Sequence, residues 1–362
     1  MKKLLISMLL AACTFAAKGI EADSLRYVSA RTFRIVGKAF SQTESFYDRL
    51  PAVVKDSCRE ELWTLSTNSA GMAIRFRTNS TAIAAKWTLR QNMHMNHMTG
   101  VGIRGVDLYR LTDDGWHFVG VGKPAADKEC SAVIIENMAP EEAEYMLYLP
   151  LYDGVSDVEI GVDAGASIEM PKVDSPRAGI TVVFYGTSIT QGGCANRPGM
   201  CYTSIISRML DIEAINLGFS GNGRLDLYIA EQMATLDPTL YFLDFVPNCT
   251  AEMIDDRAVK FIEILRKAHP DTPIIMADSY DFPPSMFDLA QRDALDAKTK
   301  AMKRVCEHFK NDPNFIFIEG VRYCNDECSV DGVHLTDMGF QAMSEHYARY
   351  IEKAIRKASK NR

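Results

Sequence analysis

A serine that follows an apolar run is the first residue whose type and place could do chemistry. Ser188 comes after Gly186-Thr187, where a glycine lets the chain turn sharply and exposes the next side chains. One interpretation is a nucleophile that attacks a carbonyl carbon. The other is a helix cap, because serine is a common N-cap residue. Ser188 by itself does not decide between the two.

An Asp-x-x-His pair near the C-terminus supplies the residue types of a general base. On a turn, Asp331 can accept a hydrogen bond from His334 and so fix the tautomer of the imidazole. His334 can then take the proton from a serine hydroxyl. A lone histidine is more often structural, but this pair beside a predicted helix start is a more specific signal. Together with Ser188 it predicts nucleophilic catalysis.

Two further segments contain donors that could stabilise a developing negative charge. Gly218, Gly221 and Gly223 fall within a short loop, which indicates backbone that approaches a ligand with its N–H groups available. The alternative is a flexible turn. Asn248 follows another apolar run and offers a neutral side-chain amide. Its alternative is an Asx turn or a cap on the following helix.

Buried strands that alternate with helices are predicted for the C-terminal half. Helical stretches such as 254–268 and 289–309 separate continuous apolar runs at 180–185, 214–217, 240–243, 274–277 and 315–318. This alternation predicts a parallel sheet covered on both faces. In open α/β sheets, ligands bind beyond the carboxyl ends of the strands. Ser188, the glycine-rich loop and Asn248 all follow such ends.

The N-terminal half has a different pattern of apolar residues. Apolar and polar residues alternate with period two at 72–77, 83–89, 106–110 and 155–162, with turn signals between them. Short alternating strands predict an antiparallel β-sandwich or jelly roll. A polar joint that contains Pro176 separates the two halves. We therefore predict an all-β jelly-roll/sandwich domain over 23–172 and an α/β domain over 177–358.

Four of these segments, taken in chain order, resemble the motif blocks of a known family. The blocks carry Ser188, Gly221, Asn248 and the Asp331/His334 pair, and they resemble those of the SGNH hydrolases, the GDSL-type esterases and lipases. The resemblance covers the whole second domain. It implies a flavodoxin-like three-layer α/β sandwich with a parallel five-stranded sheet.

The resemblance also implies a role for each of these residues. Ser188 would be the nucleophile and His334 the general base that Asp331 orients. The oxyanion hole would consist of the N–H groups of Ser188 and Gly221 with the side-chain amide of Asn248. No metal or organic cofactor is required.

Three positions depart from the family pattern. The usual aspartate before the nucleophile is Thr187, and Pro247 and Cys249 flank Asn248 where the family has glycine and aspartate. None of these changes removes a catalytic side chain.

The first domain, around residues 148–154, resembles the jelly-roll domain that precedes the hydrolase in some exported bacterial SGNH enzymes. Several enzymes of that group look like carbohydrate esterases that remove acetyl groups. The expected function is therefore an exported serine esterase that hydrolyses short-chain, in particular O-acetyl, esters. Its expected partner is an acylated carbohydrate or another small ester. The alternatives are a lipid or lysophospholipid esterase and a catalytically idle carbohydrate-binding protein.

Three residues outside the motif blocks are candidate substrate-binding residues. Arg197 and Tyr280 follow the first and fourth strands of the α/β domain, and ordinary loop structure is their alternative. His97 lies in the segment Met93–Met98 and could reach the pocket across the domain interface. Two histidines and several methionines there invite a soft metal, but no acidic or thiol residue stands beside them in the chain. We therefore expect no metal site and favour a segment that packs on the catalytic domain.

Composition limits the partners and the N-terminus indicates the compartment. The chain of 362 residues is 47% hydrophobic and has a net charge of −7, which disfavours nucleic acid and anionic membranes as partners. Residues 1–22 begin with two lysines and an apolar run, which predicts a secretory signal peptide and a location in the periplasm or at the cell surface. Cleavage after Ala16 or Ala22 is one outcome. The other is a lipobox that leaves Cys13 acylated as a membrane anchor.

The other eight cysteines allow disulfides in an exported protein. We expect at least one disulfide to brace an active-site loop. The candidate pairings lie within Cys194, Cys201 and Cys249, or join Cys324 to Cys328.

Overall fold

The alternating pattern of the N-terminal half produces two antiparallel sheets that pack face to face. The computed structural model describes residues 20–321 and 325–360. The strands of this half are β1 (Arg26–Ser29), β2 (Arg34–Val36), β3 (Ala73–Thr78), β4 (Ile83–Leu89), β5 (Val106–Thr112), β6 (Gly115–Gly122), β7 (Glu129–Ile135), β8 (Ala143–Tyr148), β9 (Val155–Val162) and β10 (Ile168–Glu169).

One sheet has the order β1-β9-β4-β7, and the other has β10-β3-β8-β5-β6 with β2 paired to β3. Side chains that alternate along each strand meet between the sheets, where Phe76, Trp87 and Ile160 are buried in one core. The prediction of an antiparallel sandwich is confirmed. The finer assignment as a jelly roll stays a prediction.

The continuous apolar runs of the C-terminal half form a parallel sheet. Its strands are β11 (Arg177–Gly186), β12 (Ile212–Gly218), β13 (Leu240–Asp244), β14 (Ile274–Ala277) and β15 (Phe315–Ile318). Their spatial order β12-β11-β13-β14-β15 is the flavodoxin-like order. The predicted five-stranded parallel sheet is therefore confirmed. Ligand sites in this topology lie where the strand order reverses, at the carboxyl end of β11.

Helices cover both faces of this sheet. In chain order the helices of the protein are α1 (Glu60–Ser66), α2 (Gly100–Arg104), α3 (Ser188–Gln191), α4 (Tyr202–Leu210), α5 (Leu227–Met233), α6 (Ala251–Ala268), α7 (Leu289–His308) and α8 (Asp337–Lys360). Along β11, Tyr185 stacks on Phe261 of α6, whereas its neighbour Phe184 contacts Tyr202 of α4 on the other face. Successive side chains thus serve opposite faces, which gives the three layers.

The segment between β2 and β3 belongs to the sandwich in sequence but packs on the α/β sheet. Leu50, Val54 and Leu62 lie in the same core as α5 and α6. The fully buried Arg49 donates to the carbonyl oxygens of Asn68 (2.9 Å) and Gly218 (2.6 Å). The segment predicted as all-β therefore also contains helix α1, and it helps to fix the loop after β12.

The predicted disulfide among Cys194, Cys201 and Cys249 is wrong, because all three are free thiols. The fold places the three sulfur atoms in separate surroundings. The Sγ of Cys201 contacts the hydroxyl of Ser204, that of Cys249 faces the carbonyl of Gly223, and that of Cys194 faces the carbonyl of His97. Cys328 is disulfide-bonded. Cys324, named in the other predicted pair, lies outside the described residues.

The predicted signal peptide also lies outside the described residues, apart from its last positions. Across residues 20–321 and 325–360, no helix combines the length and the apolar character that a membrane crossing requires.

Candidate active site

The nucleophile candidate stands on a tight turn at the carboxyl end of β11. Gly186 ends the strand, and a Cβ there would lie 2.0 Å from Thr190 Oγ1 and 2.5 Å from the carbonyl oxygen of Asp244. Thr187 then caps α3, since its Oγ1 accepts from the N–H of Ile189 (3.2 Å) while its own N–H donates to Thr190 (3.2 Å). Thr187, which stands where the family has aspartate, is therefore the N-cap residue of α3. The side chain of Ser188 is left for other chemistry.

Two hydrogen bonds join Ser188 to the Asp-x-x-His pair. Ser188 Oγ lies 2.8 Å from His334 Nε2, and His334 Nδ1 lies 2.7 Å from Asp331 Oδ2. With Nδ1 protonated, the imidazole donates to the carboxylate and accepts the serine proton on Nε2. The structure thus brings together the three residues that the sequence predicts as a catalytic triad, separated by up to 146 positions in the chain.

The carboxylate of Asp331 is held in its ionised form. Its other oxygen accepts from the backbone N–H groups of Val333 (3.0 Å) and His334 (2.8 Å). Burial alone would raise the pKa of Asp331, but the hydrogen bonds from the backbone and ring of His334 outweigh it and lower the pKa. A charged acceptor therefore faces the imidazole and stabilises the imidazolium that proton transfer creates.

The loop of His334 is fixed from two sides. Tyr280, a predicted substrate-binding residue, is buried and donates its hydroxyl to the carbonyl oxygen of Val333. On the other side, the missing side chain of Gly193 makes room for the ring. A Cβ there would lie 3.1 Å from His334 Cδ2 and 2.8 Å from the hydroxyl of Tyr152. Tyr280 therefore supports the base, and a substrate contact by Tyr280 stays a prediction.

Three donors border the same cleft as Ser188 and His334. The cleft has a volume of about 440 Å³, and its walls include Ser188, Gly221 and Asn248. Asn248 Oδ1 accepts from the N–H of Gly223 (3.2 Å), which leaves the amino end of its amide for a ligand. Gly221 has a φ of +66°, a backbone conformation that favours glycine. The structure thus places the three residues of the predicted oxyanion hole on one cleft, and their role in binding an oxyanion stays a prediction.

The rest of the cleft is mixed in character. Pro247, Phe282, Leu295 and Val333 supply apolar surface, while Lys298 on α7 adds a cation. Burial lowers the pKa of Lys298.

Two supporting residues carried no signal in the sequence. Gln191 of α3 donates to the carbonyl oxygen of Leu151 (3.0 Å), and its Oε1 accepts from the N–H of Ser220 (3.0 Å). It thereby ties the serine helix to the glycine loop and to the sandwich. Arg49 holds the start of the same loop. A single polar residue within an otherwise ordinary segment shows no periodicity, and only the fold reveals its partners.

Arg197 lies at the domain interface and is not among the residues that line this cleft. Its Nη1 donates to Asp107 Oδ2 (2.6 Å), and its guanidinium lies 3.9 Å from the ring centre of Phe118. Asp107 is fully buried in β5 and also accepts from the N–H of Gly199 (3.0 Å). The contacts of Arg197 are thus internal, and its predicted role in substrate binding stays a prediction.

His97 crosses from the sandwich to the triad. Its ring centre lies 5.8 Å from that of His334. Asp153 fixes the start of this segment, since its carboxylate accepts from the N–H groups of Gln91 (2.9 Å) and Met93 (2.8 Å). The prediction that His97 reaches across the interface thus agrees with its position, while a contact with substrate stays a prediction.

Comparisons with known proteins match both halves of the chain. A family described as GDSL-like lipase/acylhydrolase matches residues 180–352, and a domain called GxDLY, the N-terminus of SGNH hydrolase-type esterases, matches residues 25–168. The pattern in the name of that domain occurs here as Gly105-Val106-Asp107-Leu108-Tyr109. Its aspartate is the buried partner of Arg197. No curated protein sequence matches the chain significantly.

Several solved structures share the whole architecture. A GDSL-like lipase from Bacteroides ovatus is 37% identical, with a TM-score of 0.87 over 92% of this chain and 98% of that chain. The salicylyl-acyltransferase SsfX3 of a tetracycline biosynthetic pathway is 18% identical, with a TM-score of 0.74 over 91% and 97%. The acetyl xylan esterase Est2A from the rumen bacterium Butyrivibrio proteoclasticus is 12% identical, with a TM-score of 0.56 over 91% and 99%. The last two share the fold.

Proposed function

Since the chain belongs to the GDSL-like lipase/acylhydrolase family of SGNH-type carboxylic ester hydrolases, we propose that it is an exported serine esterase that removes acetyl groups from carbohydrate. The observation that carries this proposal is the pair of hydrogen bonds that runs from Ser188 Oγ through His334 to Asp331 at the wall of an open cleft. This arrangement supplies a nucleophile, a base and a counter-charge together.

The proposed reaction has two halves. Ser188 Oγ attacks the ester carbonyl carbon while His334 Nε2 takes the hydroxyl proton, and the carbonyl electron pair moves onto oxygen. The N–H groups of Ser188 and Gly221 and the amide of Asn248 receive this oxyanion. His334 then gives its proton to the departing sugar oxygen, which leaves the acyl group on Ser188. Water repeats the sequence, with His334 as base, and releases the acid.

Cleft size and lining support a small acyl group on a polar alcohol. A volume of about 440 Å³ lies at the lower end of ligand sites and must hold both the acyl group and the sugar that carries it. Gln291 and Lys298 of α7 offer polar atoms to hydroxyl groups. An acetyl xylan esterase among the proteins of the same fold supports the choice of carbohydrate.

A lipid or lysophospholipid esterase is the second candidate, and one observation favours it. Met286 and Phe287 just before α7 and Leu289 at its start are 55%, 83% and 58% exposed, and the cleft residues Gln291 and Leu295 follow them in the chain. Exposed apolar groups beside a cleft are typical of surfaces that bind acyl chains or other apolar partners.

The catalytic half of the proposal is tested with Ser188→Ala on p-nitrophenyl acetate. We expect turnover to fall by at least about 10⁴-fold, because the substitution removes the hydroxyl that accepts the acyl group. Ser156→Ala on β9 of the sandwich, outside the residues that line the cleft, serves as the control and should retain full activity. Undiminished turnover by Ser188→Ala would refute the assignment. A chain that binds acetylated glycan but cleaves no ester would instead be an idle binding protein.

Substrate class is tested separately with the wild-type enzyme. Rates on p-nitrophenyl esters from acetyl to palmitoyl should fall steeply with chain length, and acetate should be released from at least one of a panel of acetylated polysaccharides. A maximum at long acyl chains would select the lipid esterase instead.

The proposed export is tested by the mass of the mature chain after expression in a Gram-negative bacterium. A periplasmic chain that begins after Ala16 or Ala22 would support a cleaved signal, and a diacylated Cys13 would support a lipoprotein. An uncut chain in the cytoplasm would overturn the proposal of export.

A further inference from the structure

A cluster of metal-ligating groups lies beside the triad, where two domains meet. Ligand atoms of His97, Cys194, Asp331 and His334 all lie within 4.8 Å of one another. His97 comes from the sandwich, Cys194 from the turn after α3, and the last two from the loop before α8. In the chain no thiol or carboxylate stands beside His97, but the fold supplies one of each.

The donor set is that of a zinc site. Two imidazoles, a thiolate and a carboxylate are the ligands that Zn²⁺ prefers, at about 2.0–2.3 Å. Around a tetrahedral ion such atoms lie roughly 3.3–3.8 Å apart. The widest pair of the cluster, at up to 4.8 Å, must therefore close by about 1 Å on binding. Side-chain rotation about a single torsion supplies a movement of that size.

We propose that these four residues bind one Zn²⁺ ion and that the bound ion reversibly inhibits the esterase. His334 already uses both ring nitrogens, Nδ1 toward Asp331 and Nε2 toward Ser188. A metal on either nitrogen displaces one of these hydrogen bonds. The ion therefore removes the general base from the reaction and is an inhibitor rather than a cofactor. Only the inhibition depends on the proposed esterase function.

The backbone conformation of Cys194 holds its sulfur atom in a defined position. Its φ of +72° lies in the left-handed region, which residues other than glycine seldom adopt. This conformation places Sγ 3.4 Å from the carbonyl oxygen of His97, and the side chain is almost fully buried.

Metal binding displaces the proton of the Cys194 thiol. The thiolate forms the Zn–S bond and the proton leaves to solvent. Burial of the side chain disfavours oxidation of the uncomplexed thiol.

The experiment measures metal binding directly on the mature, untagged chain. Titration calorimetry with Zn²⁺ gives affinity and stoichiometry, and Co²⁺ substitution reports a thiolate ligand through a near-ultraviolet sulfur-to-metal charge-transfer band. We expect one site in the wild type. Cys194→Ser should lose the Co²⁺ band and weaken Zn²⁺ binding roughly 100-fold, because it removes a direct ligand. His97→Phe, which keeps a ring but no ligand atom, is the second variant.

Cys306→Ser is the matched control, since Cys306 is a half-buried free thiol on α7 outside the cluster. It should bind metal like the wild type. Inhibition by Zn²⁺ is then measured relative to the metal-free rate of each folded variant, and the inhibitory concentration should shift with the binding constant. Equal Zn²⁺ affinity in the wild type and both cluster variants would overturn the proposal. The measurement of Zn²⁺ binding does not require esterase activity. If no ester is cleaved, the metal site is still tested, and failure of the esterase proposal is recognised separately.

Discussion

Gly193→Ala tests whether the spacing between the turn after Ser188 and the imidazole of His334 sets the rate. A Cβ on residue 193 would lie 3.1 Å from His334 Cδ2 and 2.8 Å from the hydroxyl of Tyr152, whereas ordinary contacts begin at 3.4 Å. The ring must therefore retreat by about 0.3 Å or tilt, and Tyr152 must move by about 0.6 Å. Both shifts disturb the 2.8 Å bond between His334 Nε2 and Ser188 Oγ.

We expect kcat on p-nitrophenyl acetate to fall roughly 10- to 100-fold with little change in KM, because misplacement of a catalytic group by a fraction of an ångström reduces the rate without removing the cleft. Overpacking should also cost about 1–3 kcal/mol of unfolding free energy. Rates are therefore compared well below the melting temperature, with the folded fraction checked by circular dichroism.

Gly179→Ala on β11 is the matched control, since an added Cβ there meets nothing within 4 Å. It should leave kcat and stability close to wild type. A Gly193→Ala enzyme with full kcat would show that the turn does not restrain His334. A fall in stability alone would have the same meaning.

Three further predictions concern the oxyanion donor, the domain interface and a buried carboxyl group. Asn248→Ala should lower kcat by about 10²–10³ with a smaller effect on KM, and an unchanged kcat would exclude its amide from the oxyanion hole. Arg197→Met removes the cation that is hydrogen-bonded to the buried Asp107 and leaves Arg208 as its remaining counter-charge, so urea unfolding should show a loss of up to about 3–5 kcal/mol with KM unchanged; a raised KM at normal stability would instead support substrate binding by Arg197. Burial raises the pKa of Asp244 to about 6, against the hydrogen bonds from Tyr202 and Thr190. The folded state therefore binds the proton more tightly than the unfolded state, and stability falls as pH rises from about 4 to 6. Asp244→Asn should remove this fall, so that in urea unfolding its stability relative to the wild type increases by roughly 2 kcal/mol between about pH 4.5 and 7.5. An equal difference in unfolding free energy between variant and wild type at both pH values would contradict the assignment.

Much of the C-terminal domain could be predicted because its signals are local. Continuous apolar runs between helical stretches specify a parallel sheet, and the carboxyl ends of parallel strands share one edge. Ser188 and Asn248 follow two such ends, so their approach needs no knowledge of distant contacts. The Asp331/His334 pair required the family resemblance as well, since its loop follows the last strand by more than ten residues.

The interface could not be predicted, because periodicity specifies which face of an element is buried and not what it is buried against. Arg197 follows β11 as a cleft residue would, yet its partner Asp107 is in β5 of the other domain. Asp107 itself lies on the face of β5 opposite to the core residues Val106 and Leu108, where the other domain buries it and a carboxylate is stable only with a partner. The thiol of Cys194 and His97 also come from different domains, and no spacing in the chain reveals their contact.

The two-domain construction bears directly on how the triad is held. Within the α/β domain, Ser188 belongs to a helix of a single turn and His334 to a loop, and neither is a rigid support by itself. The sandwich restrains the serine side of the triad, because Leu151 accepts from Gln191 behind the serine helix, and Tyr152 contacts the same turn. Catalytic geometry must be held within about 0.5 Å to be effective. We therefore regard the first domain as part of the scaffold that holds the triad.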